Sequence, residues 1–236
     1  MALTPHTWQS GTFMGDGILE PVQLAILAKA PIAGYAKTRL IGDLGCERAA
    51  SLQAFLVRRT VETALASFLR PVTLWCAPDT SHSLFTSLRE DYGIDTQAQV
   101  EGDLGARMFD VFERLTARGP TVLIGTDCPA LCARDLDRCA TELRGEADAV
   151  FIPAEDGGYV LIGLKRPIRQ LFEGVAFGTD AVMRQTRERL SELRLRTIEA
   201  DTLWDVDTFA DYERAKSEGL LSKFCLEEQS IFNDGC

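Results

Sequence analysis

The stretch Thr121-Val122-Leu123-Ile124-Gly125-Thr126-Asp127-Cys128-Pro129 decides the fold of this chain. Its first four residues are mostly apolar and β-branched, which is typical of a short strand buried on both faces of a parallel sheet. Gly125 and Pro129 end the strand, so Asp127 is predicted at its carboxyl end, where open α/β sheets bind ligands. Taken alone, Asp127 is explained equally well as the cap of the next helix.

Apolar runs that indicate strands alternate with amphipathic segments that indicate helices on both sides of this stretch. Short connections between such segments predict an α/β fold, a mostly parallel sheet with helices on both faces. The expected domain covers residues 21–222, with a flexible leader at 1–20 and a tail at 223–236. The other predicted strands are 22–28, 71–77, 97–100, 149–153, 159–164 and 193–199, and the predicted helices are about 46–68, 81–91, 102–115, 134–143, 179–190 and 208–218.

Composition and charge exclude several classes of protein. The formal net charge of -10 argues against a nucleic-acid partner, because recognition of a phosphate backbone needs a basic face. The apolar runs are too short to span a membrane, and the first twenty residues lack a signal-peptide pattern, so a cytoplasmic location is expected. Seven irregularly spaced cysteines indicate reduced thiols rather than a disulfide framework or a zinc site. The surface pattern defines no oligomeric interface.

Three cations lie on the loop that follows the first predicted strand, namely Lys29, Lys37 and Arg39. They are expected at the same sheet edge as Asp127. Because like charges repel unless an anion lies among them, the loop predicts a site for a di- or triphosphate. Gly34 would let the backbone approach that phosphate closely. The loop does not have the Gly-Lys-Ser/Thr ending of a Walker motif, and a solvated basic loop is the alternative.

A polyphosphate beside cations usually binds Mg²⁺ or Mn²⁺, which needs carboxylate oxygens as ligands. Asp127 is the first candidate ligand. The segment Asp205-Val206-Asp207 follows the last predicted strand and offers the second. Because alternate residues of an extended segment point to the same side, Asp205 and Asp207 are equally well placed. Capping of the next helix is the alternative explanation for Asp207.

Three further segments place polar groups at the ends of strands or helices. Asp156-Gly157-Gly158-Tyr159 forms a tight turn that a ligand could approach, although an ordinary hairpin explains its glycines as well. The segment from Gln99 to Gly105 ends a strand and opens a helix, so its amides could bind a base or a phosphate. Thr179 offers a hydroxyl at a helix start. The two histidines, His6 and His82, give no credible Ser-His-Asp set.

Taken together, these motifs resemble the glycosyltransferase-like transferase 1 group associated with radical-SAM and selenodomain proteins (DUF2064). That group belongs to the nucleotide-diphospho-sugar transferase superfamily. The resemblance extends over residues 22–215 and depends on the order of the motifs. The motifs are Leu27-Ala-Lys-Ala-Pro, Ala36-Lys-Thr-Arg-Leu, Gln99-x-x-Gly-Asp-Leu-Gly-x-Arg-Met, Ile124-Gly-Thr-Asp-x-Pro, Glu155-Asp-Gly-Gly-Tyr and Asp205-Val-Asp-Thr.

The resemblance implies a three-layer, Rossmann-like GT-A fold with a nucleotide at the carboxyl ends of its strands. It implies Asp127 and Asp207 as metal ligands and phosphate contacts from Lys29, Lys37 and Arg39. The candidate catalytic groups are Lys37, Arg39 and Asp156. The first loop lacks the Gly-Gly-x-Ser-x-Arg pattern of many nucleotidyltransferases, and a single Asp127 stands for the Asp-x-Asp of many glycosyltransferases. The candidate nucleotide-binding residues are Ala28, Lys29, Gly34, Gln99, Gly102, Asp103, Gly105 and Arg107, and the candidate acceptor-binding residues are Gly157, Gly158, Tyr159 and Thr179.

Three functions follow from these expectations. The first is transfer of a glycosyl group from a nucleotide sugar to a small acceptor, with Mg²⁺ or Mn²⁺ neutralising the leaving diphosphate and Asp156 as base. The second is guanylyltransferase-like transfer of NMP from an NTP to a phosphorylated acceptor, with pyrophosphate released onto the same cations. The third is nucleotide binding without catalysis, in which case Asp127 is dispensable. The family resemblance favours the first function, and the cationic loop mildly favours the second.

Overall fold

The computed structural model describes residues 21–226, and the predicted leader at 1–20 and residues 227–236 of the predicted tail lie outside them. Seven strands form one sheet in the order β3-β2-β1-β4-β6-β5-β7. All neighbouring strands are parallel except that β6 runs antiparallel to both β4 and β5. The strands are β1 (Gln23–Lys29), β2 (Val72–Ala77), β3 (Asp95–Ala98), β4 (Thr121–Ile124), β5 (Ala149–Pro153), β6 (Tyr159–Leu164) and β7 (Thr197–Glu199).

Helices cover both faces of the sheet, which confirms the predicted three-layer α/β fold. On one face, apolar residues of α2, α3 and α5 pack with those of the strands into one core. On the other face, α4 and α6 bury a second core that contains Phe112, Phe151 and Met183. The helices are α1 (Ile41–Leu44), α2 (Cys46–Ala66), α3 (Ser83–Tyr92), α4 (Leu104–Leu115), α5 (Ala133–Arg144), α6 (Val182–Glu192) and α7 (Phe209–Ser217).

The predicted boundaries were wrong at both edges of the sheet. The third strand was expected at 97–100 but is Asp95–Ala98, and the last was expected at 193–199 but is Thr197–Glu199. Strand β3 is polar and largely exposed, so its place depends on backbone pairing with β2 rather than on hydrophobic alternation. Residues 193 and 194 instead complete the end of α6, where Arg194 has a left-handed φ of 54°.

Helix α6 begins three residues later than its predicted cap. Thr179 does not cap the helix, although its Oγ1 accepts a 3.3 Å hydrogen bond from the amide of Ala181. The capping box predicted for the last helix is confirmed. Thr208 accepts from the amide of Asp211 at 3.3 Å, and Asp211 accepts from the amide of Thr208 at 2.8 Å.

The reversed direction of β6 brings separate loops to one edge of the sheet. The turn between β5 and β6 lies where β5 ends, which is also the edge where the parallel strands β1 and β4 end. A third apolar cluster holds the 204–206 segment against α2 and α7 through Trp204, Val206 and Tyr212. Among residues 21–226, none of the helices combines the length and the apolar character needed to cross a membrane.

Candidate functional site

A cavity of about 460 Å³ opens at the carboxyl ends of β1 and β4. Its walls come from the loop after β1, the end of β4, the β5–β6 turn, the start of α4, the loop before α6 and the segment after β7. This is the edge at which α/β sheets bind ligands. The charged residues that line it are Lys29, Lys37, Arg39, Asp127, Asp156, Asp205 and Asp207.

Lys37 joins the two predicted metal ligands. Its Nζ lies 2.7 Å from Asp127 Oδ1 and 3.5 Å from Asp207 Oδ1, and it donates to the carbonyl of Val206 at 2.7 Å. The contact with the Val206 carbonyl is a hydrogen bond, whereas those with the two carboxylates are ion pairs, and Asp127 Oδ1 is buried without a hydrogen-bond partner among the described residues. The Lys37 side chain is only 5% exposed, so its charge is directed at protein groups rather than at open solvent.

The loop that carries Asp127 is fixed from two directions. The amide of Val206 donates a 2.8 Å hydrogen bond to the carbonyl of Asp127. Gln53 of α2 donates through Nε2 to Thr126 Oγ1 at 3.3 Å and to the carbonyl of Lys29 at 3.4 Å. Sequence reasoning missed Gln53, although a polar residue on the otherwise apolar face of α2 was a signal for it.

Lys29 and Arg39 are the exposed cations of the cavity. Lys29 is the last residue of β1, and its Nζ donates to the carbonyl of Tyr35 in the following loop at 2.8 Å. Arg39 is 69% exposed, and its guanidinium lies 3.4 Å from Asp207 Oδ2. Either side chain could rotate to contact a phosphate without leaving a buried charge unpaired. Lys29 and Arg39 are thus the more exposed of the three cavity cations, whereas Lys37 is nearly buried.

The carboxylates around the cavity lie close enough to affect one another. Burial, followed by the neighbouring charges of Asp127 and Asp207, raises the pKa of Asp205 to about 7, while Lys37 acts in the opposite direction. Asp156 adds to the increase. Such mutual repulsion favours binding of a further cation among these groups.

A divalent cation fits the chemistry of these donors. Within residues 21–226, no three His, Cys, Asp or Glu side chains are arranged so that they could hold a metal ion together. Mg²⁺ rarely needs three protein side chains, since it is commonly held by one or two carboxylates together with substrate phosphates and water. The side chains of Asp127 and Asp207 are 44% and 38% exposed. They can therefore offer oxygens to an ion at the cavity.

The residues predicted to bind the acceptor lie together beside this cluster. Gly158, Tyr159 and Thr179 line the cavity, whereas Gly157 packs beneath it. Gly157 has a φ of +89°, and a Cβ at this position would lie 2.6 Å from the Asp180 Cα. This glycine lets the β5–β6 turn contact the loop before α6. Asp156 Oδ1 accepts a 2.9 Å hydrogen bond from the amide of Gly158, which fixes the carboxylate within the turn.

The predicted nucleotide-binding residues are divided between the cavity and its surroundings. Lys29 lines the cavity, and the loop that carries it also contains Gly34 with a φ of +83°. The cavity lining does not include Ala28, Gly34, Gln99, Gly102, Asp103, Gly105 or Arg107.

Several of these side chains bond to nearby backbone groups instead. The Gln99 amide donates to backbone carbonyls of β1 and β2 at 3.2 and 2.8 Å. Asp103 caps α4 by accepting from an amide at 2.8 Å, and Arg107 donates to a carbonyl of the preceding loop at 3.1 Å. A Cβ at Gly105 would lie 2.6 Å from the Phe177 ring, so this glycine admits the loop before α6.

Comparison with known proteins identifies the family and the fold. Residues 60–179, about half of the chain, match DUF2064, described as "uncharacterized protein conserved in bacteria", and the chain belongs to this family. A solved structure from Desulfovibrio desulfuricans G20, provisionally described as a nucleotide-diphospho-sugar transferase, is 26% identical with a TM-score of 0.72. The alignment covers 79% of this chain and 82% of that one. This similarity supports classification of the chain as a transferase.

Two more distant structures share the fold. The 4-diphosphocytidyl-2C-methyl-D-erythritol synthase of Anaerococcus prevotii is 11% identical with a TM-score of 0.57, over 85% of this chain and 97% of its own. A CMP:2-keto-3-deoxy-manno-octonic acid synthetase complexed with CTP is 11% identical with a TM-score of 0.55, over 84% and 97%. Among curated proteins, none matches the chain. The predicted family and the GT-A-like fold are confirmed.

Proposed function

We propose that this DUF2064 protein transfers a glycosyl group from a nucleotide sugar to a small acceptor in a metal-dependent reaction. The observation that carries the proposal is the Asp127–Lys37–Asp207 cluster beside two exposed cations at the carboxyl edge of the sheet. Phosphates and hard metal ions are the ligands that such groups bind. The six described cysteines are free thiols, as expected in a reducing cytoplasm, where we place the reaction.

The donor diphosphate is proposed to lie between the exposed cations and the carboxylate pair. Lys29 and Arg39 would form charge-assisted hydrogen bonds to its oxygens and stabilise the charge that develops as it leaves. Asp127 and Asp207 would hold Mg²⁺ or Mn²⁺, which supplies Lewis-acid stabilisation of the leaving group when bound. Lys37 would keep these two carboxylates together, because it already contacts both of them.

The acceptor is proposed to react through a hydroxyl beside Asp156. The hydroxyl oxygen forms a bond to the anomeric carbon while the bond from that carbon to the diphosphate oxygen breaks. The bonding electrons leave with the nucleoside diphosphate, and the hydroxyl proton passes to the Asp156 carboxylate. The hydrogen bond from Gly158 holds one oxygen of that carboxylate, and the exposed position of Asp156 leaves the other accessible.

Charge in the cavity favours glycosyl over nucleotidyl transfer. Lys37 is committed to protein groups, so two of the three first-loop cations remain for the substrates. A triphosphate together with a phosphorylated acceptor would bring far more negative charge among four carboxylates than a nucleotide sugar does. Nucleotidyl transfer is the alternative, and a comparison of nucleotide-sugar binding with NTP binding distinguishes the two reactions.

The test is a thermal-shift titration of the purified full-length protein with Mg²⁺ or Mn²⁺, using nucleotide sugars and the matching NTPs. A ligand that binds the folded state raises the melting temperature. We expect one nucleotide sugar to stabilise the protein more than its NTP, only with metal. Asp127→Asn should lose the effect, whereas Asp201→Asn, an exposed residue outside the cavity, should retain it.

Three other outcomes would contradict the proposal. Preferential stabilisation by an NTP would replace glycosyl by nucleotidyl transfer. Metal-dependent stabilisation retained in Asp127→Asn would contradict both mechanisms. The absence of any nucleotide effect in the wild-type protein would contradict both glycosyl and nucleotidyl transfer.

A further inference from the structure

We propose that the acceptor is an uncharged alcohol with an apolar, ring-like body, an inference that rests on the proposed glycosyl transfer. Apart from its charged groups, the cavity has an apolar wall, formed by Leu104, Met108, Tyr159, Phe177 and Val182. These residues come from the start of α4, the start of β6, the loop before α6 and the first turn of α6. These five residues together are called the apolar wall.

The segments that form the apolar wall contact one another directly. The Tyr159 hydroxyl donates to Met108 Sδ at 3.7 Å, which joins β6 to α4. The Phe177 ring lies so close to Gly105 that a Cβ there would be 2.6 Å away, which joins the loop before α6 to α4. At its other side, that loop contacts the β5–β6 turn through Gly157.

The wall leaves apolar surface open to the cavity. Leu104 is 46% exposed, whereas Met108, Val111 and Phe112, which follow it on the same face of α4, are buried. Apolar surface that faces a cavity beside a few polar groups is the usual composition of a small-molecule site. The wall therefore fits a ligand that gains free energy by leaving water, at about 25 cal/mol for each Å² of apolar area buried.

The polar side chains at the wall favour an apolar body over a nucleobase. The Tyr159 hydroxyl is directed at a thioether sulfur, and the neighbouring Thr179 hydroxyl donates to the carbonyl of Ala176 at 2.8 Å. A base placed here would lose hydrogen bonds to water and find these side chains already engaged. An apolar ring loses no hydrogen bond on entering.

The charges beside the wall select an uncharged acceptor. Asp156 is connected to Tyr159 by the two glycines of the β5–β6 turn and lines the same cavity. Asp127, Asp205 and Asp207 line it as well. A phosphate or carboxylate on the acceptor would be repelled by these groups, whereas a hydroxyl can donate to Asp156.

The test uses saturation-transfer NMR of the full-length protein with three small probes. The probes are benzyl alcohol, its anionic analogue 4-(hydroxymethyl)benzoate, and a phosphate-free nucleoside. We expect saturable transfer to the phenyl protons of benzyl alcohol and about tenfold weaker binding of the anionic analogue. Leu104→Asn should weaken benzyl alcohol binding about tenfold, and Leu193→Asn, a similarly exposed leucine (37%) outside the cavity, should not change it.

Three results would overturn the inference. The first is equal binding of benzyl alcohol to both leucine variants, and the second is equal affinity for its anionic analogue. The third is nucleoside binding that is lost selectively in Leu104→Asn, because the wall would then hold the base. The proposed function is tested separately by metal-dependent stabilisation with a nucleotide sugar. Failure of that stabilisation counts against glycosyl transfer. Saturation transfer to the phenyl protons instead tests whether the apolar wall binds an apolar ring.

Discussion

Lys37 and Asp127 meet at 2.7 Å, although Lys37 lies on the loop after β1 and Asp127 follows β4. The two strands are parallel neighbours, so their carboxyl ends place these loops side by side. Lys37 has left-handed backbone angles, φ 46° and ψ 46°. A residue with a Cβ adopts this conformation at a cost of about 1–2 kcal/mol. The contacts of the Lys37 ammonium with Asp127, Asp207 and the Val206 carbonyl offset that cost.

Substitution of Lys37 by Met should destabilise the protein by about 1–2 kcal/mol. Removal of one partner of a fully buried ion pair costs about 3–5 kcal/mol. The partial exposure of Asp127 and Asp207 reduces this value. Urea unfolding measures the change. Lys29→Met, on the same loop but exposed, should alter stability by less than about 0.5 kcal/mol. Equal effects of both substitutions would show that the buried contacts of Lys37 contribute nothing.

Substitution of Asp205 by Asn should change how stability depends on pH. Because the pKa of Asp205 is raised from 3.8 to about 7, the folded state binds more protons than the unfolded state between these values. Wild-type stability should therefore fall as pH rises through this window and level off above it. In EDTA, the variant should be more stable than the wild type at pH 8, with a smaller difference at pH 5. A difference that does not vary with pH would contradict the assignment.

Substitution of Gly157 by Ala should be markedly more destabilising than the same change at Gly178. Both glycines have positive φ, +89° and +82°. Both substitutions therefore introduce backbone strain of about 1–2 kcal/mol. At Gly157 the new Cβ also meets the Asp180 backbone, whereas Gly178 has open space. We expect a loss of about 2–5 kcal/mol at Gly157 and about 1 kcal/mol at Gly178 in chemical denaturation. Similar losses would mean that the turn and the loop do not pack as described.

Substitution of Arg39 by Gln should weaken nucleoside diphosphate binding without lowering stability. Its guanidinium is mostly exposed and contacts Asp207 at 3.4 Å, so its loss leaves no buried charge unpaired. One charge-assisted hydrogen bond corresponds to about a tenfold change in Kd, which calorimetry measures. Arg184→Gln is the matched control, because Arg184 is similarly exposed, lies outside the cavity and pairs along its own helix with Glu188. A Kd unchanged by Arg39→Gln would remove Arg39 from the phosphate site.

The fold was predictable where strands are apolar and helices have one apolar face. Strands β1, β4, β5 and β6 have almost entirely buried residues, and their predicted positions are correct within one or two residues. The edge strands β3 and β7 pair on the sheet while their side chains remain largely exposed. Their positions depend on a neighbour that is distant in the sequence, so hydrophobic pattern alone placed them incorrectly.

The candidate site was predictable in part, because charged residues at strand ends reveal a common edge. Asp127, Lys37, Arg39 and Asp207 do line one cavity, and their roles in binding and catalysis remain predictions. The sequence did not reveal that the ammonium of Lys37 contacts Asp127, Asp207 and the Val206 carbonyl. The apolar wall was not predicted, for another reason. The helical periodicity that includes Met108 is the same whether an apolar residue faces a core or a cavity.

The antiparallel orientation of β6 has a consequence for the evolution of this site. The parallel strands β1 and β4 carry the first loop and the Asp127 loop, whereas the β5–β6 hairpin carries the Asp156 turn. A hairpin turn can change in length and sequence while the ladders on both sides of it keep their register. Because Gly157 packs this turn against the loop before α6, these two segments are expected to change together, while the loops after β1 and β4 stay constant.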